Sequence, residues 1–390
     1  MAQRFITLGY ENCDGLEMEG KQKFLAVVLV FTVLIVFYSI IRFQIAKRIF
    51  HVMDIDLFIF AESFRTTLQG EGFFFNTNEW QTFGAWSHFG VHNSPILILL
   101  LPIYALFPSY YTLIILQDLI VPISAIILFK FATEVLDDGK KALVVSVVFL
   151  MNPLLHGTIR YTFHPSVFGI PFMLLFAYYM ARNELKKAFI AALFVLSVRE
   201  DAGLFLIAYA LFDVLRKHEC NIKGWFDERH VINFAMLGLG WMAVSVFLVI
   251  PYFNIAHKYP FFGRYEITEV TLVIFEISLA KLIVLLLSVA FVPLRRYAYW
   301  IPIILLWLEN AIANKIQQAM IGFHYDYMVL PMTFIVLVYA LKEDETVNLR
   351  RLVFSAMISM LLFSPMFRVI NTEPVSLGTS LWEYMAILWG

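Results

Sequence analysis

The stretch FLAVVLVFTVLIVFYSIIRF, residues 24–43, decides how the rest of the chain is read. At about 20 residues it has the helical length that crosses a hydrocarbon core of about 30 Å. Its apolar side chains would run right round a helix instead of lying along one stripe, so lipid is its solvent. The same character extends over all 390 residues, of which 61% are hydrophobic and 15% charged. Soluble domains average about 45–50% and about 25%. A water-soluble fold is excluded.

Outward from that block, apolar runs of spanning or near-spanning length occupy Tyr110 to Phe131, Ala142 to Thr158, Pro165 to Ala181, Val231 to Asn254, Val270 to Val292, Trp300 to Asn314, Tyr325 to Leu341 and Leu352 to Val369. The stretch Lys187 to Arg216 is too long for one span and is interrupted by Arg199-Glu200-Asp201, which predicts two short helices meeting at the triplet. The expectation is an all-α polytopic transmembrane helical bundle of about 11 spans, forming a single integral membrane domain over residues 1–390. Within it lie an anchor helix at 24–43, an outer loop at 44–109, a bundle at 110–369 and a short outer tail at 370–390. The block Ser94 to Phe107 holds two prolines and is too short to cross, so it reads as re-entrant or interfacial. Without a small-residue cleavage site, the first block resembles an uncleaved signal anchor.

Net charge sets no direction: 29 Lys plus Arg balance 30 Asp plus Glu, which gives no reason to expect nucleic acid as a partner. Its distribution does. With the amino terminus inside, cytoplasmic segments and their flanks hold 18 of the 29 basic residues and the opposite face 10, with Lys281 inside a span. The positive-inside rule therefore predicts a multi-pass cell-membrane protein with a cytoplasmic amino terminus and an extracytoplasmic carboxy terminus. Cys13 and Cys220 are far apart in sequence and support neither a disulfide framework nor a thiolate metal site.

Seven of the 9 histidines fall on or near the outer side in this topology, as do most acids outside the inner loops. Asp54-Ile-Asp56 opens a segment in which Leu57, Phe60, Phe64 and Leu68 recur at helical spacing, the pattern of a helix lying along the membrane surface. Both aspartates would sit at its first turn, where unpaired N–H groups favour a carboxylate. Such a group can serve as a general base or cation ligand, or simply as a cap. His88 and His92 are weak metal candidates because Gly90 lies between them. His164 precedes Pro165 at the head of a span, and Phe323-His324-Tyr325-Asp326-Tyr327 forms a similar polar shoulder later on. Arg199, Glu200 and Asp201 cannot face lipid, so they face a cavity or one another. An arginine there could hold a phosphate. Gln117-Asp118, Glu276 and Lys281 are further polar groups within spans, read as pairing across helices or as functional.

These residues carry a resemblance. The order DIDLFIFAESF (54–64), WSHFGVHNSPILILLLPIYALFPS (86–109), LQDL (116–119), RYTFHPSVFGIPFMLL (160–175), LSVREDAGLF (196–205) and FHYDYMVLP (323–331) is similar to a family of predicted membrane proteins catalogued as the domain of unknown function 2079 family. That family in turn resembles the C-type (GT-C) membrane glycosyltransferases. They share a multi-span fold, a catalytic acid early in the first outer loop, and a sugar donor linked to a polyprenyl phosphate or pyrophosphate.

The resemblance implies a GT-C-like glycosyltransferase that uses a polyprenyl-phosphate sugar lipid, within membrane lipids, on the extracytoplasmic face. Asp56, and Asp54 beside it, match the catalytic acid. Arg199, His164, His324, Glu200, Asp201 and Tyr325 are the candidate substrate- and phosphate-binding residues. No cofactor is demanded and a divalent metal stays open. The pattern departs at His164, where such enzymes often have a second acidic residue. The rival readings are a transporter or flippase of a lipid-linked or small polar substrate, and a non-catalytic scaffold. The oligomeric state, the sugar and the acceptor are not legible.

Overall fold

A computed structural model gives the architecture and describes residues 2–48, 55–161, 163–219, 221–267 and 269–367. Asp54 and the tail at 370–390 lie outside the described residues. Every named element is a helix, and an isolated bridge pairs Ala85 with Asn254. Among the described residues, five helices are long and apolar enough to cross a membrane: Phe24–Arg48, Tyr110–Leu136, Arg229–Tyr252, Thr271–Ser288 and His324–Glu343. A sixth follows if Gly139–Leu150 and Pro153–Arg160, bent by 49° at their junction, count as one crossing.

The breaks have local causes. The run expected as one span at 142–158 is instead divided, because the Asn152 side chain caps the second half by accepting from the Leu154 N–H at 2.8 Å. Pro153 then occupies the first turn, where its missing N–H costs no hydrogen bond. The stretch 187–216 divides as expected into Leu185–Leu196 and Gly203–His218, with the 3₁₀ turn Glu200–Ala202 between them. The segment 94–107 forms the 11-residue helix Ile96–Leu106, and the Ile96 N–H donates to the Ser197 carbonyl at 2.9 Å. That bond seats the short helix on the 199–201 junction. The anchor helix runs Ala2–Arg48, longer than the block at 24–43. Its polar first part holds no proline and several strong helix formers, so the helix has no reason to stop at the end of the apolar block.

Leu29, Val30, Val33 and Phe37 of the anchor, Phe247 and Leu248 further on, and Leu361 near the end all point outward, which suits contact with acyl chains. The chain's polar turns gather at two ends. At one, Arg182 pairs with Glu134 at 2.6 Å, Arg216 with Glu343 at 3.1 Å, and Arg295 with Asp344. At the other, Asn93 meets Glu200, Tyr327 meets Asp201, and Ala85 meets Asn254.

Helices Gly203–His218 and Arg229–Val244 cross with almost no side chain between them. A methyl group on Gly203 would lie 2.3 Å from the Gly238 carbonyl oxygen, and one on Gly238 would lie 2.5 Å from that of Gly203. Small residues let helix backbones approach this closely. Gly238→Leu is expected to force the pair apart and to cost about 1–3 kcal/mol, as overpacking does. The expected readout is a lower unfolding temperature of the detergent-solubilised protein; an unchanged one would show that this contact does not hold the helices.

Candidate functional site

The site begins with one amide inside an apolar helix. Gln117 is buried in Tyr110–Leu136, and its Nε2 donates to the carbonyls of Thr158, at 2.7 Å, and of Tyr161. Its Oε1 accepts from the His164 backbone N–H at 2.7 Å. One side chain thus satisfies three backbone groups of a turn that would otherwise be stranded away from water. His164 then caps the 3₁₀ turn Pro165–Phe168, its Nδ1 lying 2.8 Å from the Ser166 hydroxyl. Its Nε2 is left to face the neighbouring side chains.

His324 stacks on His164, with ring centroids 3.4 Å apart and planes at 6°. Three further interactions hold the turn that carries His324. Lys281 Nζ lies 2.7 Å from Asp326 Oδ1 and donates to the Gln318 carbonyl, while Asn310 Nδ2 donates to the Tyr325 carbonyl at 3.2 Å. Lys281 is therefore the partner of a buried carboxylate across helices, one of its two expected readings. Gly157 sets the approach from the other side, because a methyl group there would sit 2.7 Å from the Gly322 nitrogen.

Asp56 lies in the first turn of Ile55–Gln69, where the sequence puts it, and accepts from the Tyr161 hydroxyl. The helix is seated by Leu57, Phe60 and Phe64, all buried, whereas Leu68 is exposed. Phe60 packs edge-on against His88 at 5.0 Å and against His164 at 5.5 Å. One ligand atom each from Asp56, His164 and His324 fall within 4.8 Å of one another. Beside the same helix, Phe58, Glu62, Arg65, Tyr104 and Tyr110 line a cavity of about 420 Å³.

The charged triplet joins this group through Tyr325. The Tyr325 ring is 4.1 Å from that of His324, and it carries the Arg199 guanidinium at 5.8 Å and Lys315 Nζ at 5.5 Å from its centroid. Arg199 is buried, with Nε 3.3 Å from Asp201 and 3.8 Å from Glu200. Glu200 accepts from the Asn93 N–H at 3.1 Å and from the Tyr259 hydroxyl at 3.3 Å, and lies 2.8 Å from His92 Nδ1. Asp201 accepts from the Tyr327 hydroxyl. The triplet is thus cross-linked to three separate loops, with its arginine already beside carboxylates.

His88 and His92 are near each other, with ring centroids 6.0 Å apart, but each is engaged with its own glutamate. His88 Nδ1 lies 2.8 Å from Glu79, as His92 does from Glu200. Burial holds the His92 and His164 imidazoles well below their ordinary pKa, and the nearby Arg199 charge adds to the effect. Both rings are neutral at pH 7.

Several of these residues are not reached from sequence. Glu79 has the signal of a helix start, three residues after the cap Asn76, and nothing to show that it turns toward His88. Tyr259 and Tyr265 read as ordinary aromatic residues, yet their hydroxyls reach Glu200 and Glu309, and Tyr327 of the polar shoulder reaches Asp201.

A family model described as predicted membrane protein (DUF2079) matches residues 50–380. The chain belongs to that family. No curated protein and no solved structure matches it. The matched DUF2079 segment contains every residue named above as part of the site.

Two outcomes follow. Gln117→Leu strands three buried backbone groups and is expected to lower stability by about 3 kcal/mol, read as a drop in unfolding temperature. The second concerns pH. Because the folded pKa values of His92 and His164 lie below the unfolded value of about 6.5, the unfolded chain binds more protons once pH falls beneath it. These two residues therefore leave stability intact above about pH 6.5 and erode it progressively below. A pH series of unfolding temperatures should show that loss, and His92→Gln together with His164→Gln should reduce it.

Proposed function

We propose that this chain is a membrane glycosyltransferase that moves a sugar from a polyprenyl-phosphate-linked donor to an acceptor on the extracytoplasmic face. The observation that carries the reading is the gathering of a carboxylate and two cations around one histidine pair at one end of a lipid-facing bundle. Asp56 reaches the pair from the surface helix, and Arg199 and Lys315 reach it over Tyr325. The sequence likeness to GT-C enzymes supplies the reaction class.

In this reading Asp56 takes the proton of the acceptor hydroxyl as its oxygen attacks the anomeric carbon. The bond from that carbon to the phosphate oxygen breaks, and the lipid phosphate departs with the electron pair. Arg199 and Lys315, with N–H groups of His164 and His324, stabilise the charge that develops on it. The Tyr161 hydroxyl on Asp56 fixes the carboxylate's orientation. About eleven passes and a cytoplasmic amino terminus belong to the same proposal. Their support is the clustering of the basic turns at the end opposite the histidines, as the positive-inside rule requires. The cavity beside Ile55–Gln69 suits a lipid approaching from the bilayer.

The test is turnover of candidate polyprenyl-phosphate sugars by purified protein in lipid nanodiscs. Asp56→Asn is expected to cut turnover by about a hundred- to ten-thousand-fold, the usual contribution of a general base. Turnover that is unchanged in Asp56→Asn removes this residue from the mechanism. Absence of turnover with every donor class overturns the transferase reading.

A further inference from the structure

Among the described residues, histidine and carboxylate side chains cluster at both ends of the bundle, and the two clusters differ in kind. At the basic end, Asp213, Glu228 and His230 come together, but Lys217 Nζ already bridges the two acids at 2.8 and 3.1 Å. At the other end the donors are Asp56, His164 and His324, two imidazoles and one carboxylate contributed by three distant parts of the chain.

We propose that Asp56, His164 and His324 bind a divalent transition-metal ion of the zinc class. Two nitrogen donors and one oxygen suit zinc and its first-row neighbours, whereas magnesium and calcium prefer all-oxygen sites. Three protein ligands leave a coordination position for water or a substrate oxygen. The donor atoms lie within 4.8 Å of one another. Nitrogen ligands of a tetrahedral ion, at about 2.0–2.1 Å from it, stand about 3.4 Å apart. Closing that gap takes a side-chain rotation that splays the stacked rings.

Two further features point the same way. His324 is buried and its Nδ1 has no hydrogen-bond partner, so the ring holds an unused donor site in a place closed to water. The ligands are also oriented from behind, as metal ligands usually are. Ser166 meets His164 Nδ1 with its hydroxyl at 2.8 Å and donates its backbone N–H to the same atom at 3.3 Å, and the Tyr161 hydroxyl holds Asp56. His88 and His92 each have a glutamate on Nδ1, but among the described residues no third ligand gathers with them.

The inference does not rest on the transferase reading. The metal reading gives imidazole nitrogens to the ion and the transferase reading gives their N–H groups to the lipid phosphate, so the two are tested separately. A protein that binds metal without turning over any donor upholds this inference and removes the other.

The test uses the full chain in detergent, stripped with a chelator and titrated with Co²⁺ as a spectroscopic stand-in for zinc. The expected result is about one equivalent bound, with visible d–d absorption, displaced by Zn²⁺ and not by Mg²⁺. Asp56→Asn, His164→Gln and His324→Gln should each weaken binding by more than about tenfold, and Tyr161→Phe by about tenfold, within the range for loss of an orienting partner. His230→Gln should bind Co²⁺ as the parent does. The Tyr161→Phe variant, which removes only a hydroxyl, keeps the result readable if a ligand variant fails to fold. No visible absorption, affinity unaffected by Tyr161→Phe and by the ligand variants that fold, or loss of the signal in His230→Gln would each overturn the proposal.

Discussion

A polar group that cannot reach water must find its partner inside the protein, and in this chain the Gln117 amide is the plainest case. It sits in an apolar helix and satisfies three backbone groups of the turn at 158–164. Without that amide the turn would carry unpaired N–H and C=O groups in an environment that penalises each of them. The positions of Tyr161 and His164 follow from it, and the seats of Asp56 and His324 follow from theirs. Lys281 and Asp326 play the same part on the other side of the histidine pair: a buried charge answered at 2.7 Å, with the turn at 324–327 pinned as a result.

The helix interruptions serve that polar interior. An unbroken helix satisfies its own backbone and offers a site little beyond side chains, whereas a broken one exposes carbonyls, N–H groups and charged residues that need partners. The break at 197–202 offers the Ser197 carbonyl to the Ile96 N–H of the short helix Ile96–Leu106, and at the break at Asn152-Pro153 the Asn152 side chain donates to the Ser288 hydroxyl at 2.7 Å. Gly157 against Gly322, and Gly203 against Gly238, let the backbones come close enough for side chains of ordinary length to touch.

The electrostatics of the cluster are mixed. Arg199 lies beside Asp201 and Glu200, so part of its charge is already answered within the triplet, one of the two readings the sequence left open. Lys315, over the same tyrosine ring, adds a second positive charge from another element. Buried imidazoles between these charges and Asp56 give the end of the bundle a set of groups suited to oxygen-rich, negatively charged or metal-bound ligands.

Composition and run length by themselves determined the solvent: blocks apolar on every face belong in lipid, and that holds whatever their arrangement. Local patterning likewise determined the helix that starts at Ile55–Asp56, the short helix after Pro95 and the break at Arg199-Glu200-Asp201, because caps, prolines and charge placement act within a few residues. Only the tertiary structure decided which residues meet. Sequence spacing could pair His88 with His92, four residues apart, but the three donors that assemble are at 56, 164 and 324, and Glu79 and Tyr327 show nothing in their neighbours of what they contact. The reason is that partners of buried polar groups are chosen by packing between helices distant in the chain, and that information resides in no window of sequence.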